Sequence, residues 1–170
     1  MSSHIQLHAM KSSETTTLKR HTMVSTSLWQ RLRTPTTPAS WPQTVGRITL
    51  GAALLLAGTG HLTFQRVEFL AQVPWWLPFD ADFVVVASGV VELVFGAALL
   101  FAGRWRVVVG LVVAAFFVAI FPGNINQYVH GISAFGLDTD RARLIRLFFQ
   151  PLLVLWALWS TGALRALRAR

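Results

Sequence analysis

The sequence predicts an all-α integral membrane protein: a four-helix bundle with a short interfacial helix in its first outer loop and a disordered N-terminal tail. Three observations carry that expectation. Of the 170 residues, 54% are hydrophobic and only 13% charged, against about 25% charged in soluble domains. Four apolar stretches follow residue 44, each close to the ~20 residues that cross a ~30 Å hydrocarbon layer as a helix. The chain has no cysteine, which excludes a disulfide scaffold, zinc–thiolate binding and thiol redox chemistry within it. A formal net charge of +8 would suggest nucleic acid in a polar sequence. Here the arginines lie between apolar runs and act as a topology signal, so no nucleic-acid partner is expected.

Residues 1–44 are rich in Ser, Thr and Pro and carry Lys11, Lys19, Arg20, Arg31 and Arg33 against Glu14. Such a segment buries too little apolar surface to offset its ordering entropy, and it reads as a disordered basic cytosolic tail. It also fits an organelle transit peptide, or an over-extended start with Met23 as initiator. His4, His8 and His21 in it read as incidental.

The membrane domain is expected over 45–164, with helices at about 45–62, 83–102, 105–121 and 144–164, then a basic C-terminal tail over 165–170. Short runs such as FVVVA could be strands in water, but isolated strands in lipid leave backbone groups unpaired, so helices are favoured. The Gly103-Arg104 turn makes helices two and three antiparallel neighbours. In the first outer loop, 63–82, Phe64, Val67, Leu70 and Ala71 repeat at helical spacing, which predicts an interfacial helix ended by Pro74. Trp75 and Trp76 then sit as headgroup anchors. The second outer loop is expected over 122–143, with Asp138 or Thr139 as the N-cap of the last helix. Gly51 and Gly58, and Gly89 and Gly96, stand one heptad apart and mark faces where helix backbones approach.

Orientation follows the cations. With the N-terminus inside, the cytoplasmic side holds the tail cations, Arg47, the hairpin pair Arg104 and Arg106, and Arg165, Arg168 and Arg170. Outside lie Arg66, Arg141, Arg143 and Arg146. The expected location is the cell inner membrane, multi-pass, with both termini cytoplasmic.

Ionisable groups inside lipid are costly and point at interiors or cavities. Glu92 stands near the centre of helix two, on one face with Ser88, Gly89 and Gly96. His61, Asn124, Arg146 and Gln150 all belong to outer helix ends. These five residues form the expected ligand site, with Arg146 or His61 as the cation for Glu92. Beside this stands a structural reading, in which a buried Glu–Arg or Glu–His pair fixes helix register and His61 or Asn124 caps a helix. No nucleotide-binding or nucleophile-elbow motif is present. Outside the tail, whose His4 and His8 read as incidental, no His–x3–His or Glu–x2–His spacing occurs, so no metal site is expected and no catalytic residue is assigned.

GTGHLTF at 58–64, VPWWLP at 73–78, ASGVVELVFGAALL at 87–100, FPGNINQ at 121–127 and RLFFQPLLVLWALW at 146–159 resemble the DoxX-like membrane-protein family. The chain departs from the family pattern at Gly123, often Ala, and at Phe148, often Pro. The resemblance implies an accessory or quinone-linked redox subunit. A bound quinone would be its ligand, with membrane lipid and a soluble redox partner or a second copy as partners. His61, Glu92, Asn124, Arg146 and Gln150 fall in or beside those motifs. The chain itself carries no redox cofactor motif, so it would be at most the membrane subunit of a redox enzyme. The alternatives are a small proton-coupled transporter, on the strength of Glu92, and a purely structural membrane subunit.

Overall fold

The structure is a computed structural model that describes residues 38–101 and 103–168. The tail expected to be disordered lies outside the described residues up to position 37. The rest is all-helical, in the order α1 (Trp41–Leu62), α2 (Arg66–Gln72), α3 (Ala81–Phe101), a 3-10 turn (Gly103–Trp105), α4 (Arg106–Val129), α5 (Asp140–Ser160) and α6 (Ala163–Arg168). Four helices are long and apolar enough to cross a membrane.

Each boundary has a local cause. Helix α1 starts at Trp41, earlier than the 45 expected, because Ser40 and Gln43 act as a reciprocal cap. The Ser40 N–H donates to Gln43 Oε1 at 3.2 Å, and Pro42 sits in the first turn, where its missing N–H costs nothing. Helix α3 is started by Asp80, whose Oδ1 accepts from Phe83 N at 3.0 Å. Thr139 caps α5 by accepting from Ala142 N at 3.2 Å, so the N-cap is Thr139 and the helix begins at Asp140, ahead of 144.

Two expected boundaries are corrected. Helix α4 does not stop at 121 but runs through Pro122 to Val129, so most of the loop expected from 122 is helix and the connection shrinks to 130–139. A proline inside a helix deprives the carbonyl four residues earlier of its partner. The carbonyl so deprived is that of Val118, and Gln150 Nε2 donates to its neighbour Phe117 O, which ties this turn of α4 to α5. Gly131 then ends α4 with φ +63°. Helix α5 stops at Ser160, short of 164, at a turn through Gly162 with φ +80°. The basic tail beyond it forms α6 as far as Arg168.

Helix α1 packs against α3 and α4 against α5, and both pairs depend on small residues. Gly51 faces Gly96 and Gly58 faces Gly89 in antiparallel register. A Cβ on Gly58 would lie 2.7 Å from Gly89 O, and one on Gly96 would lie 2.8 Å from Gly51 O. These backbones touch, as small-residue helix pairs allow. Between the pairs lies a core of Leu50, Leu54, Leu99, Val113, Ala114, Phe117 and Ala157. Large apolar side chains also face outward along the helix midsections, among them Leu56, Val94, Val118, Phe148 and Leu152.

The two ends of the bundle differ. The terminus end, where α1 begins and α5 finishes, carries Arg47, Arg104, Arg106, Arg165 and Arg168 and none of the acids among the described residues. Arg47 donates there to Leu99 O and Leu100 O, capping the α3 C-terminus. The loop end holds Glu68, Asp80, Asp82, Asp138 and Asp140. Its Arg66 pairs with Asp82 at 2.5 Å and its Arg143 with Asp140 at 2.8 Å.

Because the α1–α3 contact leaves no room for a side chain, Gly58→Leu should destabilise the protein by about 1–3 kcal/mol, the usual cost of overpacking. Gly103→Ala, where a Cβ meets nothing within 4 Å, should be neutral. Thermal unfolding of the two purified variants checks the contrast.

Candidate functional site

Below the loop end the four long helices enclose a cavity of about 550 Å³. His61, Glu92, Asn124, Arg146 and Gln150 all line it, so the five sequence-predicted residues are brought to one place. Its remaining wall is largely apolar, including Leu50, Leu54, Val85, Phe116, Phe117 and Leu153.

Two polar systems meet there. On the α1–α3 side, His61 Nδ1 lies 3.0 Å from Glu92 Oε2, with both side chains buried. The same nitrogen lies 3.0 Å from Ala57 O. A carbonyl can only accept, so Nδ1 carries a hydrogen directed to Ala57 O, and the buried Glu92 Oε2 lies within ion-pair distance of the ring without a hydrogen-bond partner among the described residues. Glu92 therefore pairs with His61, and Arg146, the other cation considered, is engaged elsewhere. The pair exists because Gly89 has no side chain: a Cβ there would lie 2.7 Å from His61 Cβ. The two helices could not then bring the imidazole over the carboxyl.

On the α4–α5 side, Arg146 is the hub of a directed relay. Its Nε donates to Asn124 Oδ1 at 3.2 Å, Asn124 Nδ2 to Gln150 Oε1 at 2.9 Å, and Gln150 Nε2 to Phe117 O. In the other direction Arg146 Nη2 donates to Gln72 Oε1 at 3.2 Å, Gln72 Nε2 to Gln127 Oε1 at 2.6 Å, and Gln127 Nε2 to Ala134 O at 3.3 Å. A guanidinium has only donors, so it fixes the flip of every amide in both arms, and each arm ends on a backbone carbonyl. Arg146 meets only neutral oxygens in this relay, plus the Phe135 ring, whose centroid lies 4.8 Å from its guanidinium carbon.

An aromatic ladder links the two systems. His61 stacks on Phe69 at 3.3 Å with 16° between the planes. Phe69 meets Phe135 edge-on at 4.7 Å, and Phe135 continues to Arg146. Phe135 holds φ +58°, a costly conformation for a bulky residue. Its N–H donates to Glu68 Oε2 at 2.5 Å, which holds it there.

Gln72, Gln127, Phe69, Phe135 and Glu68 were not among the expected site residues. Gln127 stands three residues after Asn124 in FPGNINQ, and its face becomes legible only once the helix is carried through Pro122. Phe69 and Gln72 lie on the face of α2 opposite its exposed apolar stripe. No sequence signal marks Phe135. Among the described residues, no group of three or more His, Cys, Asp or Glu side chains could hold a metal ion.

Comparison with known protein families gives one match: the family described as "Domain of unknown function (DUF8561)" covers residues 50–161. The chain belongs to the DUF8561 family. No curated protein and no solved structure matches it. The DUF8561 region runs from Leu50, on the cavity wall, to Thr161, the turn after α5, and so takes in both polar systems and the ladder.

Within this DUF8561 site, Gln150→Leu should strand the buried Asn124 Nδ2 and destabilise the fold by about 1–3 kcal/mol, the usual cost of an orphaned buried polar group. Thermal unfolding measures the loss. Leu152→Ala, on the exposed face of the same helix, should cost clearly less.

Proposed function

We propose that this chain is a DoxX-like inner-membrane protein, multi-pass with both termini cytoplasmic, and that its cavity holds an apolar carbonyl ligand of the quinone class. It acts as an accessory subunit to a redox system. The observation that carries the reading is the cavity itself, largely apolar along its walls and lined toward the loop end by His61, Glu92, Asn124, Arg146 and Gln150. A quinone is a flat carbonyl-bearing ring on an apolar tail. Arg146 is a donor for a ligand carbonyl, and the buried His61–Glu92 pair can take up or release the proton that accompanies a change in quinone redox state. Electrons would come from a soluble partner, because the chain supplies no thiol or cofactor motif of its own.

The membrane and orientation parts rest on separate observations. Outward-facing apolar side chains along the four long helices suit lipid and would be an aggregation hazard in water. The terminus end carries arginines and no acid among the described residues, whereas the loop end mixes its arginines with five acids, and this asymmetry favours a cytoplasmic terminus end. The resemblance to the DoxX-like motifs supports the quinone link.

Gently purified protein should retain a quinone detectable by lipid extraction and mass spectrometry. Glu92→Gln and Arg146→Met should each lower that retention about tenfold, the effect of losing roughly 1.4 kcal/mol of binding, measured on the fraction of each variant that is folded by size-exclusion chromatography. If the wild-type protein carries no quinone and proteoliposomes instead exchange a solute in counterflow, the small-transporter reading replaces this one. Orientation is checked separately by reporter fusions at residue 104. A cytoplasmic hairpin should give no periplasmic reporter activity, and strong activity there would reverse the assigned topology.

A further inference from the structure

We propose that the ligand enters the cavity sideways from the bilayer, between α3 and α4, and that the loop end is a plug closed to water-borne solutes. The proposal rests on the membrane reading above and deepens it, because it names the ligand class as a molecule delivered in lipid with a long apolar tail.

The plug is built from contacts that bridge the loop end. His61 of α1 stacks on Phe69 of α2, Phe69 meets Phe135, and Phe135 lies against Arg146 of α5. Gln72 of α2 bonds Gln127 of α4, and Glu68 pins the Phe135 backbone. A solute arriving from that side would meet these stacked rings and buried amide bonds, beside the loop residues Val73, Pro74, Trp76 and Leu77 that also border the cavity.

The flank between α3 and α4 is built differently. The two helices meet where Phe95 packs edge-on against Phe116 at 5.4 Å. Counted in equal antiparallel steps from that pair toward the loop end, Glu92 comes level with Ala119 and Ser88 with Gly123. Along this stretch the lining places the small residues Ser88 of α3 and Ala119 and Gly123 of α4 between bulkier ones such as Val85 and Ile120. The contrast with the other seam is direct. A Cβ on Gly58 would collide with α3 backbone, whereas a Cβ on Gly123 would meet only Gln72 O at 3.5 Å. Ala119 is exposed and lines the cavity at once. The α1–α3 glycines bring helices together, and the small residues between α3 and α4 leave space.

The length of the cavity fits a tailed molecule. Along α1 its lining runs from His61 down to Leu50, about 16 Å at 1.5 Å per residue. Polar groups sit at the His61 end, and Leu50, Leu54, Phe117 and Leu153 extend beyond them. A head group held at the polar end leaves apolar depth for a chain.

The absence of native cysteine makes the route directly measurable. Ser88→Cys places one thiol on the cavity wall of the full chain in proteoliposomes of phosphatidylethanolamine and phosphatidylglycerol. A lipid-soluble N-alkyl maleimide should label it at least tenfold faster than a charged methanethiosulfonate, each rate being normalised to the same reagent on denatured protein. Gly123→Leu or Ala119→Trp in that background should slow the lipid-soluble reagent. Phe135→Ala, or the milder Glu68→Gln, should admit the charged one. Labelling of the unplugged and plugged proteins by the charged reagent at equal, rapid rates would overturn the proposal, as would maleimide labelling indifferent to both flank substitutions. Protection by a decyl-tailed benzoquinone separates this idea from the quinone reading. The expected labelling pattern without protection keeps the route and removes the quinone. Protection with free aqueous labelling keeps the quinone and removes the route.

Discussion

The contact between α1 and α3 at two pairs of glycines sets the position of the other functional groups. Gly51 against Gly96 and Gly58 against Gly89 fix both spacing and register, since sliding either helix would drive a side chain into backbone. One consequence is local: His61, one turn beyond the second glycine pair, and Glu92, one turn inside it, are held 3.0 Å apart in a buried site. The energetics there are asymmetric. Removing one partner of a buried ion pair typically costs about 3–5 kcal/mol, while a well-packed apolar replacement of both can be neutral. A pair of this kind contributes little net stability, so its presence is better explained by register or by chemistry than by folding strength.

The α4–α5 half solves the opposite problem. Its polar residues are satisfied rather than poised, because both amide arms leave Arg146 with every carbonyl turned toward the cation and every amide N–H turned away. Such a network has one low-energy arrangement and holds the guanidinium still. It also ties the α4 turn before Pro122 to α5 through Gln150 and Phe117 O. The cavity thus has one wall with a protonatable pair and one with a fixed cation. That combination suits a ligand whose carbonyl is held on one side and whose protonation changes on the other.

Most of the architecture and half of the polar site were legible in the chain. Glu92 was conspicuous because a lone acid in an apolar helix has few reasons to be there, and the heptad glycines announced the helix face that it shares. His61, Asn124, Arg146 and Gln150 could be placed by depth alone. Gln127 could not, because Pro122 reads as a helix end when only the local sequence is consulted, and the partners of Gln127, Gln72 and Ala134, lie on other segments. The same limit hid the start of α1, where Ser-Trp-Pro-Gln is a good cap but follows a tail rich in the same residue types. Phe135 was illegible for a different reason. Its value depends on a left-handed backbone held by a carboxylate from another element, and nothing nearby in sequence encodes that.

The two kinds of small-residue seam explain how one short chain can be rigid and accessible together. In lipid, helices associate chiefly through packing and hydrogen bonds, so an interface is only as tight as its side chains allow. Where backbone meets backbone, at α1–α3, the geometry of the ion pair is preserved. Where small residues face a gap, at α3–α4, the same residue types leave a gap without an unsatisfied backbone group, because helix hydrogen bonds are internal. An opening of that kind stays dry in hydrocarbon and requires no moving part. Glycine content alone therefore does not predict tight packing. What decides is whether a neighbouring helix offers a carbonyl in collision range, as Gly89 does to Gly58, or at ordinary contact distance, as Gln72 of α2 does to Gly123 with no α3 atom within 4 Å.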